Sequence, residues 1–341
     1  MTRLLHRRQM LAGLGAGFGA GLAGALLPRG TAHAAARPGA GLVAVTLQDR
    51  GVIALVDPVA ATVVGEIAVD RKPVGAVPSP DGARLYVSHP ELGSITVIDM
   101  AVRAISGRIV TGGTPFGLEI APDGRTLFAT DWTRNAVLRF DIAAHLGAAA
   151  DASVGTGRGL ALVGKAPAWL KLDPATGLLF VAAREADRVD VVDAHGFSKI
   201  AEIPTGRAPF AVTLDRAARR VLVGNVQSAD VTTIDADRLV ATGSFAVGAM
   251  PYSLAVAPAD GLVLVVSQTP GVLQFFERGK PGLAARRTAR LGRYPEGMAI
   301  VADRAIVANW FDDTVSIIAL GDGREIARLK VSGGPRIVTA M

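Results

Sequence analysis

Residues 42–341 form a succession of short apolar runs cut by turns rich in Gly, Pro and Asp. Runs such as Phe116-Gly-Leu-Glu-Ile120 and Leu85-Tyr-Val-Ser-His89 read as β-strands. Between them stand Pro80-Asp81-Gly82, Pro122-Asp123-Gly124 and the looser Asp173-Pro174 and Asp260-Gly261. Pro presets φ and Gly accepts φ > 0, so these residues suit tight turns.

The pattern repeats. A Pro follows one or two Gly, small or basic residues at Pro73, Pro115, Pro167, Pro209, Pro251, Pro295 and Pro335, spaced 42, 52, 42, 42, 44 and 40. A second marker is an acid closing a β-rich run: Asp57, Asp99, Asp141, Asp193 and Asp235, with Glu277 and Ala319 in the sixth and seventh places. Each copy holds four apolar runs, and the fourth, as from Ile105 to Val110, leads to the next Pro. Four strands in about 42 residues, repeated seven times, predict an all-β fold: a seven-bladed β-propeller of four-stranded antiparallel blades.

The two ends complete each other. The first copy lacks a strand before Leu42, and the last stops at Pro335-Arg-Ile-Val-Thr-Ala-Met341. The C-terminal run is therefore expected to be the innermost strand of the N-terminal blade, which removes open sheet edges. The third residue after each Pro is Ala76, Leu118, Leu170, Val212, Leu254, Met298 or Val338. The second is mostly small (Gly75, Gly117, Ala211, Ser253, Gly297), as a tapering fit near the axis requires, with Trp169 and Ile337 as the large ones. The third copy carries a ten-residue insertion between Asp141 and Pro167, expected to extend an outer hairpin or loop.

The second strands end in Tyr86-Val-Ser-His89, Phe128-Ala-Thr-Asp131, Leu222-Val-Gly-Asn225 and Ile306-Val-Ala-Asn309. With the Ile-Asp endings, the Gly-x-x-Pro stretch and the Pro-Asp-Gly turn, this resembles the YVTN family of β-propeller repeats over residues 42–341. The resemblance implies a seven-bladed propeller, often exported in bacteria. It implies no single activity. Members and look-alikes include binding proteins of unknown ligand, lactonase-like enzymes and propeller subunits of periplasmic amine dehydrogenases.

Residues 1–36 differ in kind. Arg3, Arg7 and Arg8 make a basic start, and Met10 to Leu27 follows without a charge but with six Gly. Thr31-Ala32-His33-Ala34 offers the small-x-small site of a signal peptidase. Residues 1–34 are read as a cleaved signal peptide, and Arg7-Arg8 before Gln9-Met10-Leu11 resembles a twin-arginine export signal. The expected location is periplasmic or secreted.

Removing that segment changes the charge. It holds four Arg and no acid, so 36 − 4 leaves 32 cations against 30 acids, or +2. Net charge then gives no reason to expect nucleic acid or stable membrane insertion. The chain has no Cys, which excludes disulfides, thiolate metal sites and a cysteine nucleophile.

Candidate chemistry gathers on one face. Loops before each Pro surround the channel mouth, and loops between second and third strands open on the same side. The first group supplies Arg71, Lys72, Lys165, Trp169, Arg207, Phe210, Tyr252, Arg293, Tyr294, Glu296 and Arg336. The second supplies His89, Asp131, Trp132, Arg184, Asn225, Gln268, Asn309 and Trp310. Thirteen of these are the candidate binding residues: Arg71, Lys72, His89, Asp131, Trp132, Lys165, Arg207, Asn225, Tyr252, Arg293, Asn309, Trp310 and Arg336. A basic face carrying aromatic rings suits an anionic small molecule or an acidic protein partner.

Other chemistry is thinly represented. His145 and His195 are expected on the face opposite His89, so no His-based metal site is expected. Glu119 and Lys171 share one repeat position in neighbouring blades and are expected to form an interblade salt bridge. Gly155-Thr-Gly157-Arg-Gly159 resembles a phosphate loop in letters but lacks the strand-to-helix setting. No cofactor is expected. The main reading is an exported non-catalytic binding or scaffold propeller. The alternative is a propeller subunit or accessory of a periplasmic oxidoreductase of the amine- or alcohol-dehydrogenase type, with a redox protein as partner. A lactonase-like hydrolase comes third, since the mouth offers only Asp131, Glu296, His89 and Glu185.

Overall fold

Residues 39, 41–142, 159–277 and 285–341 are described in a computed structural model. They form seven four-stranded sheets, every strand pair antiparallel. Blade 1 consists, from the inside outward, of Pro335–Ala340, Val43–Leu47, Val52–Asp57 and Thr62–Ala68. The expected closure is thus present, with Val43 opposite Ala340 and Val45 opposite Val338. Blades 2 to 7 follow in chain order, with innermost strands Ala76–Pro78, Pro115–Ile120, Pro167–Asp173, Pro209–Asp215, Pro251–Val256 and Pro295–Val301. Each innermost strand touches the next, and the last touches that of blade 1, which closes the ring.

The core is divided among the blade interfaces. Each of seven apolar clusters joins one sheet to its neighbour. Between blades 1 and 2, for example, Ile53, Leu55 and Ile67 meet Leu85, Val87 and Ile98, all buried. Side chains alternate across each strand, so both faces of a sheet must be apolar. A single blade cannot bury either face alone.

Packing near the axis explains the small residues. A Cβ on Gly117 would lie 2.6 Å from the Ala168 carbonyl oxygen of blade 4. One on Gly297 would lie 2.4 Å from that of Arg336 in blade 1. Both distances are prohibitive, so the neighbouring backbone dictates glycine at these two places. The expected interblade salt bridge also forms: Lys171 Nζ lies 2.8 Å from Glu119 Oε1.

Most of the insertion after Asp141 lies outside the described residues, as do His145, the Gly155–Gly157 stretch and residues 1–36. Gly159 begins the outer strand of blade 3, Gly159–Leu162.

Candidate functional site

The mouth is built by one backbone device used repeatedly. Lys72, Ala166, Ala208, Met250 and Tyr294 each precede a Pro and hold φ between 52° and 57°, and Gly334 does the same at 67°. This left-handed residue turns the chain sharply into the innermost strand. The pairing then slips just after the Pro in six blades: Leu47 opposes Pro335, Asp131 opposes Pro115, and Asn309 opposes Pro295 before the register shifts. Such irregularities re-aim side chains. Freed amides are taken up by hydroxyls one position before the end of the second strand. Gly75 N donates to Ser88 Oγ at 2.8 Å, Gly117 N to Thr130 Oγ1 at 2.9 Å, and Ile337 N to Thr46 Oγ1 at 3.0 Å.

The register also puts the ends of the second strands directly opposite the prolines, so both groups of loops open on one face, as expected. The residues just after Pro form a ring: Val74, Phe116, Ala168, Phe210, Tyr252, Glu296 and Arg336. An aromatic belt results. Phe116 lies 5.2 Å from Trp132, 5.7 Å from Trp169 and 5.9 Å from Phe210 between ring centroids, and Phe210 lies 4.6 Å from Tyr252. In blade 4 the post-Pro residue is Ala168, and Trp169, one position further on, brings the aromatic ring instead. Tyr294, Trp310 and Phe311 make a second group, with Phe311 stacked on Tyr294 at 4.3 Å and 55% exposed.

At the inner edge of this belt Arg336 forms a bidentate pair with Glu296, its Nε donating at 2.7 Å. Glu296 is buried, and the Arg336 guanidinium lies 4.5 Å from the Trp310 ring centroid. Burial, with Glu296 close by, pushes the Tyr252 phenol above its ordinary range, so it is a neutral hydroxyl. Below the mouth, all seven innermost strands line an axial cavity of about 250 Å³ that includes Trp169, Lys171, Glu119, Tyr252 and Glu296.

The thirteen candidate residues divide into two sets. His89, Asp131, Asn225 and Asn309 are fully buried. Each ends a second strand and turns polar atoms to the adjacent loops and third strand, although Asp131 Oδ2 and Asn225 Oδ1 are buried without a hydrogen-bond partner. Asn309 Oδ1 accepts from Gly292 N at 3.0 Å, while its Nδ2 donates to Thr314 Oγ1 and Ser316 Oγ. Asn225 Nδ2 donates to Asp230 and Thr232. Asp131 Oδ1 accepts from the backbone N–H of Thr114 and Arg134. His89 Nδ1 lies 2.9 Å from the Arg71 carbonyl and Nε2 3.0 Å from Thr96 Oγ1. Burial holds the His89 imidazole below its ordinary pKa, so it is neutral and its Nδ1–H donates.

The other nine reach the mouth surface. Trp132, Tyr252 and Trp310 are half-buried in the aromatic belt. Three of the six cations are matched by acids: Lys72 with Asp49 at 2.9 Å, Arg293 with Asp312 at 2.6 Å, and Arg336 with Glu296. Arg71, Lys165 and Arg207 are exposed with no ion-pair partner among the described residues. The positive field is therefore narrower than the residue count implies. Phe116 and Phe311 are additions to the candidate set. Phe116 shares its repeat position with Phe210 and Tyr252, which is the signal that marks it.

Among the described residues, no three of His, Asp or Glu are grouped so that they could hold a metal ion. His195 is exposed beside Asp193, on the turn after a third strand and so on the face opposite the mouth.

No family model and no curated protein matches this chain by sequence. Solved structures match the fold. A functionally unknown protein from Desulfotomaculum acetoxidans DSM 771 aligns with TM-score 0.75 and 10% identity, covering 88% of this chain and 98% of that one. Dihydro-heme d1 dehydrogenase NirN, in complex with DHE, aligns with TM-score 0.67 and 13% identity over 89% of this chain and 75% of that one. Kuenenia stuttgartiensis hydrazine synthase aligns with TM-score 0.66 and 19% identity over 78% and 88%. At these identities the likeness is one of fold.

Proposed function

We propose that this chain is a divergent YVTN-type propeller, exported by the twin-arginine route, that binds an anionic small molecule or an acidic protein segment at its channel mouth. One observation carries this reading. Aromatic rings from blades 3 to 7 converge on one end of the axis near Arg336, and all but the buried Phe210 remain partly exposed instead of joining the interblade cores. Large rings left at a concave surface beside a few fixed donors are the ordinary composition of a binding site. Arg71, Lys165 and Arg207 add an exposed positive rim.

The test is the double variant Arg207→Glu, Arg293→Glu. Its melting temperature is expected to match that of the unaltered protein, because exposed charges contribute little to stability. Binding of an acidic peptide such as polyglutamate is expected to disappear. Retained binding would move the site elsewhere. Export is tested by replacing Arg7-Arg8 with Lys-Lys, which is expected to leave the precursor in the cytoplasm. A second reading, that the mouth docks a redox protein, is favoured by the enzymatic descriptions of two fold neighbours and by the Arg7-Arg8 pair. Co-purification of a cytochrome or dehydrogenase with the exported protein would support it.

A further inference from the structure

We infer that the small-molecule ligand of this mouth is a flat aromatic monocarboxylate, seated off the axis among blades 1, 2 and 3; this rests on the proposal that the mouth is the binding face. A cavity of about 270 Å³ lies there, distinct from the axial one, lined by Val74, Pro90, Phe116 and Trp132 with Lys72 and Arg336. Gln48, Glu91 and Thr114 complete it.

Size, surface and charge each narrow the occupant. At ~30 Å³ per water of the liquid, the space corresponds to about nine waters, and so to a ligand of about ten heavy atoms. The surface is largely apolar, and its two rings, 5.2 Å apart and inclined at 53°, favour a flat conjugated ligand over a branched one. The donors favour an anion. Arg336 commits Nε and Nη2 to Glu296, which leaves Nη1 with no acceptor among the described residues. Trp310 and Glu296 fix the guanidinium in place, so little rotamer freedom remains to be lost on binding. Lys72 Nζ gives one hydrogen bond to Asp49 and keeps further donors.

Asp49 is the main cause that holds the Lys72 pKa above its ordinary value, and Glu91 adds to it, so Lys72 stays a charged donor beside the cavity. Both cations already have acid partners, Asp49 and Glu296, so a carboxylate would be held by the donors they keep free, Arg336 Nη1 and Lys72 Nζ, and a second carboxylate would meet Glu91, the one acid in the lining. Asp49 and Glu296 stand behind the cations as their structural partners.

The experiment is calorimetric titration of the full exported chain with benzoate, with benzyl alcohol as the neutral ring and butyrate as the aliphatic carboxylate. Benzoate is expected to bind saturably, and both controls roughly tenfold more weakly or worse. Lys72→Gln and Trp132→Leu are each expected to weaken benzoate roughly tenfold, Lys72→Gln without lowering the melting temperature. Arg336→Gln is expected to weaken it further, and Lys72→Gln keeps the test valid if that variant fails to fold. Equal binding of butyrate and benzoate, or benzoate binding untouched by Lys72→Gln and Trp132→Leu, would overturn the inference. If benzoate fails while polyglutamate binds and is lost in Arg207→Glu, Arg293→Glu, the ligand class is wrong and the mouth stands. If neither probe binds, both readings fall.

Discussion

The two faces of the ring follow different rules. On the face away from the mouth, one turn is copied with little change. The carboxylate of Asp57 accepts from the backbone N–H of Val59 and Ala60, that of Asp99 from Ala101 and Val102, that of Asp193 from His195 and Gly196, and that of Asp235 from Asp237 and Arg238. At the mouth the corresponding ring runs Val74, Phe116, Ala168, Phe210, Tyr252, Glu296, Arg336, six residue types in seven places. The backbone there is also regular, with a left-handed residue before the Pro in six of the seven blades. Regular backbone carrying irregular side chains is how a repeated scaffold presents one particular surface. The repeated turn belongs to the scaffold of each blade, and the variable ring lies on the proposed binding face.

Substitutions separate the two roles, and the largest effect belongs to closure. Deleting Arg336–Met341 removes the innermost strand of blade 1 together with Val338, exposes Val43 and Val45, and leaves the inner edge of Val43–Leu47 unpaired. The truncated chain is expected to lose its cooperative thermal transition, monitored by circular dichroism. Next comes the buried Arg336–Glu296 ion pair of the mouth. Glu296→Gln leaves a largely buried guanidinium without its counter-charge, and should cost about 3 kcal/mol in denaturant unfolding. A repeated turn is worth less. Asp57→Ala removes two hydrogen bonds to turn amides and should cost about 1 kcal/mol, lowering the melting temperature by about 2 °C.

The smallest expected effect is a pH dependence. Burial lowers the His89 pKa in the folded protein, so between that value and the ordinary one near 6.5 the unfolded chain binds more protons. Stability from this group is complete above the ordinary pKa and is lost as pH falls toward the folded value. Melting temperatures between pH 8 and pH 5 should fall less in His89→Asn. Asn already serves at this repeat position in Asn225 and Asn309. An identical pH slope in both proteins would show that His89 is not the titrating group. The carboxylates act at lower pH. Arg108 holds Asp70 below its usual range, so its contribution is lost only as pH falls below about 3.8.

Much of the scaffold could be read from residue order because turns write themselves in Pro, Gly and Asp. The run Leu85–His89 falls within the strand Arg84–His89, and the run Phe116–Ile120 within Pro115–Ile120. Glu119 and Lys171 were legible as partners because equal repeat positions in adjacent blades must face each other. The ion pairs of Lys72 and Arg293 were not, since Asp49 and Asp312 lie in loops whose course no repeat specifies. The strand-end residues His89, Asp131, Asn225 and Asn309 were grouped with the mouth by their position. Period-two alternation places them inside, and the next residue, Trp132 or Trp310, turns outward.

The mouth carries its own reporter. All three tryptophans of the chain, Trp132, Trp169 and Trp310, belong to it, so tryptophan emission reads that face alone. Titrating the protein with benzoate and with polyglutamate, with emission and heat followed together, tests whether the mouth binds anions. A saturable emission change that tracks the heat of binding is expected with at least one probe. Heat of binding with unchanged emission, or no saturable change with either probe, would contradict binding at the mouth.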